Sequence, residues 1–142
     1  MLSIIIPFLN EEKNLTILVD EINNALKGKG LQYEIIFVDN GSTDGSRQEA
    51  LDLAEIHKHI VTVRMRVKGK GIALAEGFKY AKGAYIIFMD GDLQDNPDNI
   101  IKFMNKIEEG YDLVNGIRKI RKDNGVVKIY SRFANVFLKS LM

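Results

Sequence analysis

YIIFMDGDLQDNP, residues 85–97, decides how the chain is read. Its first half, Tyr85 to Met89, is a short continuous apolar run, the pattern of a strand covered on both faces. Its second half turns acidic: Asp90 ends the run, Asp92 follows, and Gly91 lies between them. Glycine permits the backbone bend that lets both neighbours approach one ion. Two carboxylates this close repel unless a cation neutralises them. Mg²⁺ typically takes one or two protein carboxylates and fills its shell with water and substrate phosphates. A metal–diphosphate site and a plain polar turn both account for these residues, and the motif alone leaves the choice open.

Working outward, the same pattern repeats. LSIIIPF (2–8) is an apolar run stopped near Pro7 and reads as a strand. Leu15, Leu18, Val19, Ile22 and Leu26 then fall at helical spacing within 11–27, and GKG at 28–30 ends that helix. YEIIFVD (33–39) is a second strand, and NGSTDGS is a turn in which Thr43 or Asp44 can cap a helix over roughly 45–57. IVTVRM (60–65) is a third strand, and the Gly/Lys loop 68–71 opens a helix through Ala81. After the strand AYIIFMD (84–90), Pro97 opens a helix to about Glu109, YDLVNGI (111–117) is a fifth strand, and the remainder from about 125 reads as an amphipathic helix. Strands alternating with helices specify an α/β domain: a mainly parallel sheet with helices on both faces.

In such sheets ligands bind beyond the carboxyl ends of the strands. The polar groups at those ends are Asn10 and Glu11, Asp39, the Gly/Lys loop with Lys70, and Asp90-Gly91-Asp92. Each has a plain structural reading beside the functional one. Asp39 can serve as a turn residue before Gly41, Glu11 can sit in a first helical turn, and the Gly/Lys loop lacks Walker-A spacing. Phe78, Tyr80 and Phe103 fall at core spacing rather than as base-stacking residues.

The chain has 142 residues, enough for one domain (1–142) with a sizeable core; 46% are hydrophobic and 27% charged. There is no cysteine, and only His57 and His59 offer imidazole, which argues against a zinc site. No apolar run reaches the ~20 residues of a membrane span. Glu11 and Glu12 interrupt the N-terminal apolar run early, unlike a signal peptide, so a cytoplasmic protein is expected. The net charge of +1 argues against nucleic-acid binding. It also hides an asymmetry: residues 1–116 carry 13 Lys/Arg against 18 Asp/Glu, and residues 117–142 carry 7 against 1. A basic end suits phosphate groups or an anionic membrane surface, and equally a solvated helix face.

PFLNEEKNL, IIFVDNGSTDGS, GKGIALAEGFKYAKG and FMDGDLQDNP occur in this order, and in this order they resemble the family 2 inverting glycosyltransferases, nearest the dolichyl-phosphate mannose synthase and polyprenyl-phosphate glycosyltransferase branch. The resemblance implies a GT-A fold, a Rossmann-like nucleotide-sugar-binding domain. It implies that Pro7, Phe8, Asn10, Glu11 and Asp39 line the nucleoside pocket, with Lys70 and Gly91 beside it. Asp90, Asp92 and Gln94 would hold Mg²⁺ or Mn²⁺ against the diphosphate of a UDP- or GDP-sugar. Asp92 and Arg118 would carry the catalytic roles, Arg118 resembling an arginine after the fifth strand that meets phosphate; Lys128 and Ser131 match as acceptor-phosphate contacts.

Asn40 stands where relatives usually have a second aspartate, and Phe8 where tyrosine is common. The chain ends at Met142 where relatives usually continue, which implies a domain shortened on its acceptor and membrane-proximal side. A sugar-hydroxyl acceptor would need a general base. A polyprenyl phosphate is already an anion and needs only cations, which Arg118, Arg121, Lys122, Lys128 and Arg132 supply. A final helix bearing Val126, Ile129, Phe133 and Phe137 could lie peripherally on a membrane's cytoplasmic face, pack in the core, or pair two copies into a homodimer. The competing readings are a donor-binding fragment without turnover; a nucleotidyltransferase, which would place a glycine-rich loop where PFLNEE stands; and a phospho-acceptor domain, which has no use for Gln94 and Arg118.

Overall fold

A computed structural model describes residues 1–65 and 69–116 and the backbone of 135–138. The elements follow in the order β1 (Leu2–Phe8), α1 (Asn14–Leu26), β2 (Tyr33–Asp39), α2 (Ser46–Ile56), β3 (Ile60–Arg64), α3 (Lys70–Tyr80), β4 (Tyr85–Phe88), α4 (Asn99–Glu108), β5 (Leu113–Asn115) and β6 (Asn135–Leu138). They build one six-stranded sheet in the order β3-β2-β1-β4-β6-β5. β3, β2, β1 and β4 are mutually parallel; β6 runs antiparallel to both β4 and β5. The α/β architecture with a mainly parallel sheet is as the sequence pattern requires.

Strand alternation sorts the core into two layers. Ile4, Ile6 and Phe8 of β1, with Ile35 and Phe37 of β2, face the buried stripes of α1, α2 and α4. Ile5, Ile36 and Val38 face the other way, toward Ala73 of α3. All five apolar positions read on α1 are buried. Each fully buried Leu or Ile contributes about 1.5–3 kcal/mol relative to exposure. Gly77 explains how α3 sits so close: a Cβ there would stand 2.5 Å from Ile5 Cγ2 and 3.0 Å from Val38 Cγ2.

Helix ends are tied to neighbouring elements. No side chain of its own caps α1; instead the Glu49 carboxylate of α2 accepts the N–H groups of Lys13 (2.7 Å) and Thr16 (2.8 Å). This satisfies donors that a helix leaves unpaired and places a negative charge at its positive end. Helix α2 begins at Ser46, with Gly45 at the boundary, and Asp44, one of the two residues expected to cap it, supplies the bond. Its carboxylate accepts from the Ser46 hydroxyl and N–H, and the hydroxyl bond holds its carboxyl below the usual range.

At the amino ends of the strands lies a buried polar cluster. The Glu34 carboxylate accepts from Ser3 Oγ and from the Lys82 N–H, both at 2.7 Å, and Ser3 Oγ accepts from the Gly83 N–H at 2.8 Å. Nearby, Tyr33 and His59 meet edge to face at 5.1 Å, and His59 Nε2 is buried without a partner among the described residues.

The helix expected from about residue 125 is corrected at 135–138, which is strand β6. Its register sets Val136 opposite Ile87 and Val114, and Phe137 opposite Ile86 and Leu113. Short apolar runs do not distinguish helix from strand by periodicity, and here the open edges of β4 and β5 decide. The rest of that segment lies outside the described residues. Among the described residues no helix is long and apolar enough to cross a membrane.

Candidate functional site

The chain runs outward from β1 to β2 to β3, then crosses back to β4 on the other side of β1. A reversal of this kind opens a crevice at the carboxyl ends of the two strands flanking it, and open α/β sheets bind ligands there. β1 ends at Phe8 and leads into Asn10 and Glu11; β4 ends at Phe88 and leads into Asp90, Gly91 and Asp92. Both acidic readings of the sequence thus meet at one switch point.

The strand-end loops are stitched together. Asn10 takes a left-handed backbone (φ 58), and its side-chain Oδ1 accepts the Thr43 N–H at 2.8 Å while its own backbone N–H donates to Ser42 Oγ at 3.1 Å. The Glu11 N–H donates to Ser46 Oγ, and its carboxylate accepts from the Asn14 amide, both at 2.7 Å. Asp39 is buried, and its Oδ1 accepts the N–H groups of Gly41 (3.1 Å) and Ser42 (2.7 Å), so this oxygen does the work of a turn residue. Pro7 is buried in β1. The Phe8 ring packs into the core against Phe37 at 5.9 Å; what Phe8 offers the crevice is backbone, its carbonyl accepting the Asn40 N–H at 2.9 Å.

Gly91 lets the loop after β4 close onto β1: a Cβ there would lie 3.3 Å from Phe8 Cβ and 3.6 Å from Glu11 Cγ. The Asp90 N–H donates to Asp95 Oδ2 at 3.3 Å, and Asp92 Oδ1 accepts the Gln94 N–H at 3.1 Å. The Lys70 ammonium stands 2.6 Å from Asp90 Oδ1. Asn40 Oδ1 accepts the Gly69 N–H at 2.7 Å, tying the start of α3 to the end of β2. The structure therefore brings together Asn10, Glu11, Asp39, Lys70, Asp90, Gly91 and Asp92 around the strand ends, and Gln94 follows on the same loop, tied to Asp92 through its backbone N–H. Arg118, Lys128 and Ser131 lie outside the described residues. A cavity of about 460 Å³ lies elsewhere, between α1 and the loop after β4, where Glu21, Asn24 and Asp98 join Gln94 in its wall.

The residues suit a hard divalent cation. Their donors are carboxylate and carboxamide oxygens, which Mg²⁺ and Mn²⁺ prefer. A cationic group, the Lys70 ammonium, already sits against Asp90. Among the described residues no three His, Cys, Asp or Glu side chains gather into a protein-only cage. A site completed by substrate oxygens needs none.

Residues that pattern reading missed are those whose role is relational. Asn40 registered only as a replacement for aspartate, whereas it clamps Gly69. Ser42 and Ser46 accept from the loop after β1, and hydroxyl residues in a turn are the signal that could have shown it.

This is a Rossmann-like α/β domain of the GT-A kind, with its polar groups at the switch point. Residues 3–141 match the family model described as glycosyl transferase family 2, and the chain belongs to that family. Solved structures share the fold. The mannosyltransferase PcManGT from Pyrobaculum calidifontis, in complex with GDP-Man and Mn²⁺, is 23% identical with a TM-score of 0.71 over 83% of this chain and 35% of its own. S. aureus TarS 1–349 in complex with UDP-GlcNAc is 22% identical with a TM-score of 0.67 over 96% of this chain and 45% of its own. Glucosyl-3-phosphoglycerate synthase from Mycobacterium tuberculosis, in complex with Mn²⁺, UDP and phosphoglyceric acid, is 27% identical with a TM-score of 0.66 over 81% of this chain and 42% of its own. The chain spans less than half the length of each.

Proposed function

We propose that this domain binds a UDP- or GDP-sugar with Mg²⁺ or Mn²⁺ and transfers the sugar, with inversion, to an acceptor that is itself a phosphate, of the polyprenyl-phosphate class. The observation that carries the donor half is the meeting of Asp90 and Lys70 at the β1/β4 switch point. The GDP-Man, UDP-GlcNAc and UDP of the neighbouring structures support it, as does the Mn²⁺ of two of them.

Asp90, Asp92 and Gln94 would hold the metal. When bound it supplies Lewis-acid neutralisation of the charge that develops on the leaving diphosphate. The chain's own residues do the rest. Asn10 and Asp39, locked into the turn 41–43, fix the walls against which a nucleoside is oriented. Lys70 adds a cation on the diphosphate side. For the acceptor, a hydroxyl would need a base near neutral pH. Asp95, the nearest further acid in the sequence, accepts from the Asp90 backbone and shapes the loop. An anionic phosphate acceptor removes the need for a base and uses instead the cations at 118, 121, 122, 128 and 132. These residues lie outside the described ones.

Calorimetric titration with UDP and with GDP, each with Mn²⁺ and with chelator, tests the donor site. One nucleotide should bind, and only with metal. Asp92→Asn should weaken that binding by more than about 100-fold, beyond the usual cost of disturbing outer-shell partners. Its melting temperature should stay at the parent's value, because removing one of two repelling carboxylates costs the metal-free fold nothing. Equal binding by the variant, or binding in chelator, refutes the metal assignment. Metal-dependent binding with no transfer to any acceptor would leave donor binding as the chain's whole function.

A further inference from the structure

Lys70 opens α3, and its ammonium lies 2.6 Å from Asp90 Oδ1, with 62% of the lysine side chain exposed and 27% of the aspartate's. The approach is built into the backbone. Asn40 holds the Gly69 N–H at 2.7 Å, and Asn40 is itself held by the Phe8 carbonyl at 2.9 Å. Gly69 takes φ 151, which a side chain would resist, and delivers Lys70 across the crevice to the loop after β4. Two strands and a helix are thus aligned to set the Lys70 ammonium on the Asp90 carboxylate.

We propose that Lys70 is a resident stand-in for the divalent ion: it neutralises Asp90 until metal arrives, yields the carboxylate to it, and turns its freed ammonium to the donor's diphosphate. This rests on the metal-site reading above. Asp90 and Asp92, close in sequence, would repel without a cation. An exposed ion pair is weak, so a divalent ion displaces it at small cost. Lysine suits the exchange because its ammonium is a compact charge on a flexible stem, whereas an arginine fork would grip the carboxylate in two-point geometry. The residue therefore acts with opposite sign on two ligands. It competes with the metal when metal comes alone, and it aids the nucleotide once metal is in place.

Lys70→Gln separates those signs. On the full chain, Mn²⁺ affinity without nucleotide should rise about two- to fivefold, the range an exposed pair is worth. Affinity for UDP or GDP at saturating Mn²⁺ should fall about tenfold, as expected for a lost charge-assisted bond. The Mn²⁺ difference between variant and parent should shrink as KCl is raised. Calorimetry reads all three, and Lys70 is exposed enough that the variant should melt with the parent. If the parent binds Mn²⁺ and Lys70→Gln binds it no more tightly, the stand-in role is wrong while the metal site survives. If the variant loses both affinities together, Lys70 is only an ordinary ligand contact. If the parent binds no Mn²⁺ at all, the metal-site reading falls and takes this proposal with it.

Discussion

The two ends of the sheet handle their carboxylates in opposite ways. At the amino ends, Glu34 is buried and accepts from Ser3 Oγ and the Lys82 backbone. At the carboxyl ends, Asp90 is partly open to solvent and shares its charge with an exposed lysine. A buried carboxylate is tolerated only when its bonds are supplied internally. Glu34 therefore works as a staple across β1, β2 and the approach to β4. Asp90 keeps its charge where a ligand can reach it. One end of the sheet is finished; the other is left ready.

The largest expected effect that separates the ends is Glu34→Ala. It strands the Ser3 hydroxyl in the interior, and each buried donor left without a partner costs about 1–3 kcal/mol. Chemical denaturation should show a loss of roughly 2–3 kcal/mol, with nucleotide affinity of the folded fraction unchanged. A matched drop in affinity would mean the ends are coupled and the contrast is false. A paired glycine test is next. In Gly83→Ala the new Cβ would stand 2.7 Å from the Ser3 backbone nitrogen and 2.8 Å from the Met1 carbonyl, atoms that cannot turn aside. In Gly91→Ala the nearest atom is Phe8 Cβ at 3.3 Å. The first should cost about 1–3 kcal/mol and the second less than about 1 kcal/mol. The reverse order would show the amino end to be the looser one.

The smallest effect is on pH. Burial, aided by the neighbouring His57 charge, holds the His59 imidazole below its ordinary value of 6.5. The unfolded chain then binds more protons in the window beneath 6.5, so stability is complete above that value and falls as pH drops through it. His59→Gln should flatten the melting temperature between about pH 7 and about 5. An unchanged slope would assign the acid sensitivity to other groups.

Much of this was legible in advance, and the reason is length and contrast. LSIIIPF and YEIIFVD appear as β1 and β2 with the limits read from the sequence, because seven apolar or mixed residues between polar breaks fit little else than a buried strand. The α1 stripe is equally plain. β6 was not, since four residues carry no usable period and their pairing depends on edges formed elsewhere. The acids at 90 and 92 were visible as a motif. Lys70 was legible as a strand-end residue of the same crevice, but its pairing with Asp90 was not: the two lie 20 residues apart, and only the crossing of α3 over β1 sets one on the other. Asn40 and Glu49 escaped for the same reason, each acting on an element distant in sequence.

The insertion of β6 between β4 and β5 has a consequence for biosynthesis. During translation β4 is complete at Phe88, yet the strand that covers its free edge ends at Leu138. About 50 residues must be added in between. At ribosomal speeds of about 5–20 residues per second, that edge waits roughly 3–10 seconds. The half of the sheet built on β3, β2, β1 and β4 must therefore hold together on the nascent chain before its last partner arrives. Its exposed edge in that interval is a natural place for a chaperone to act.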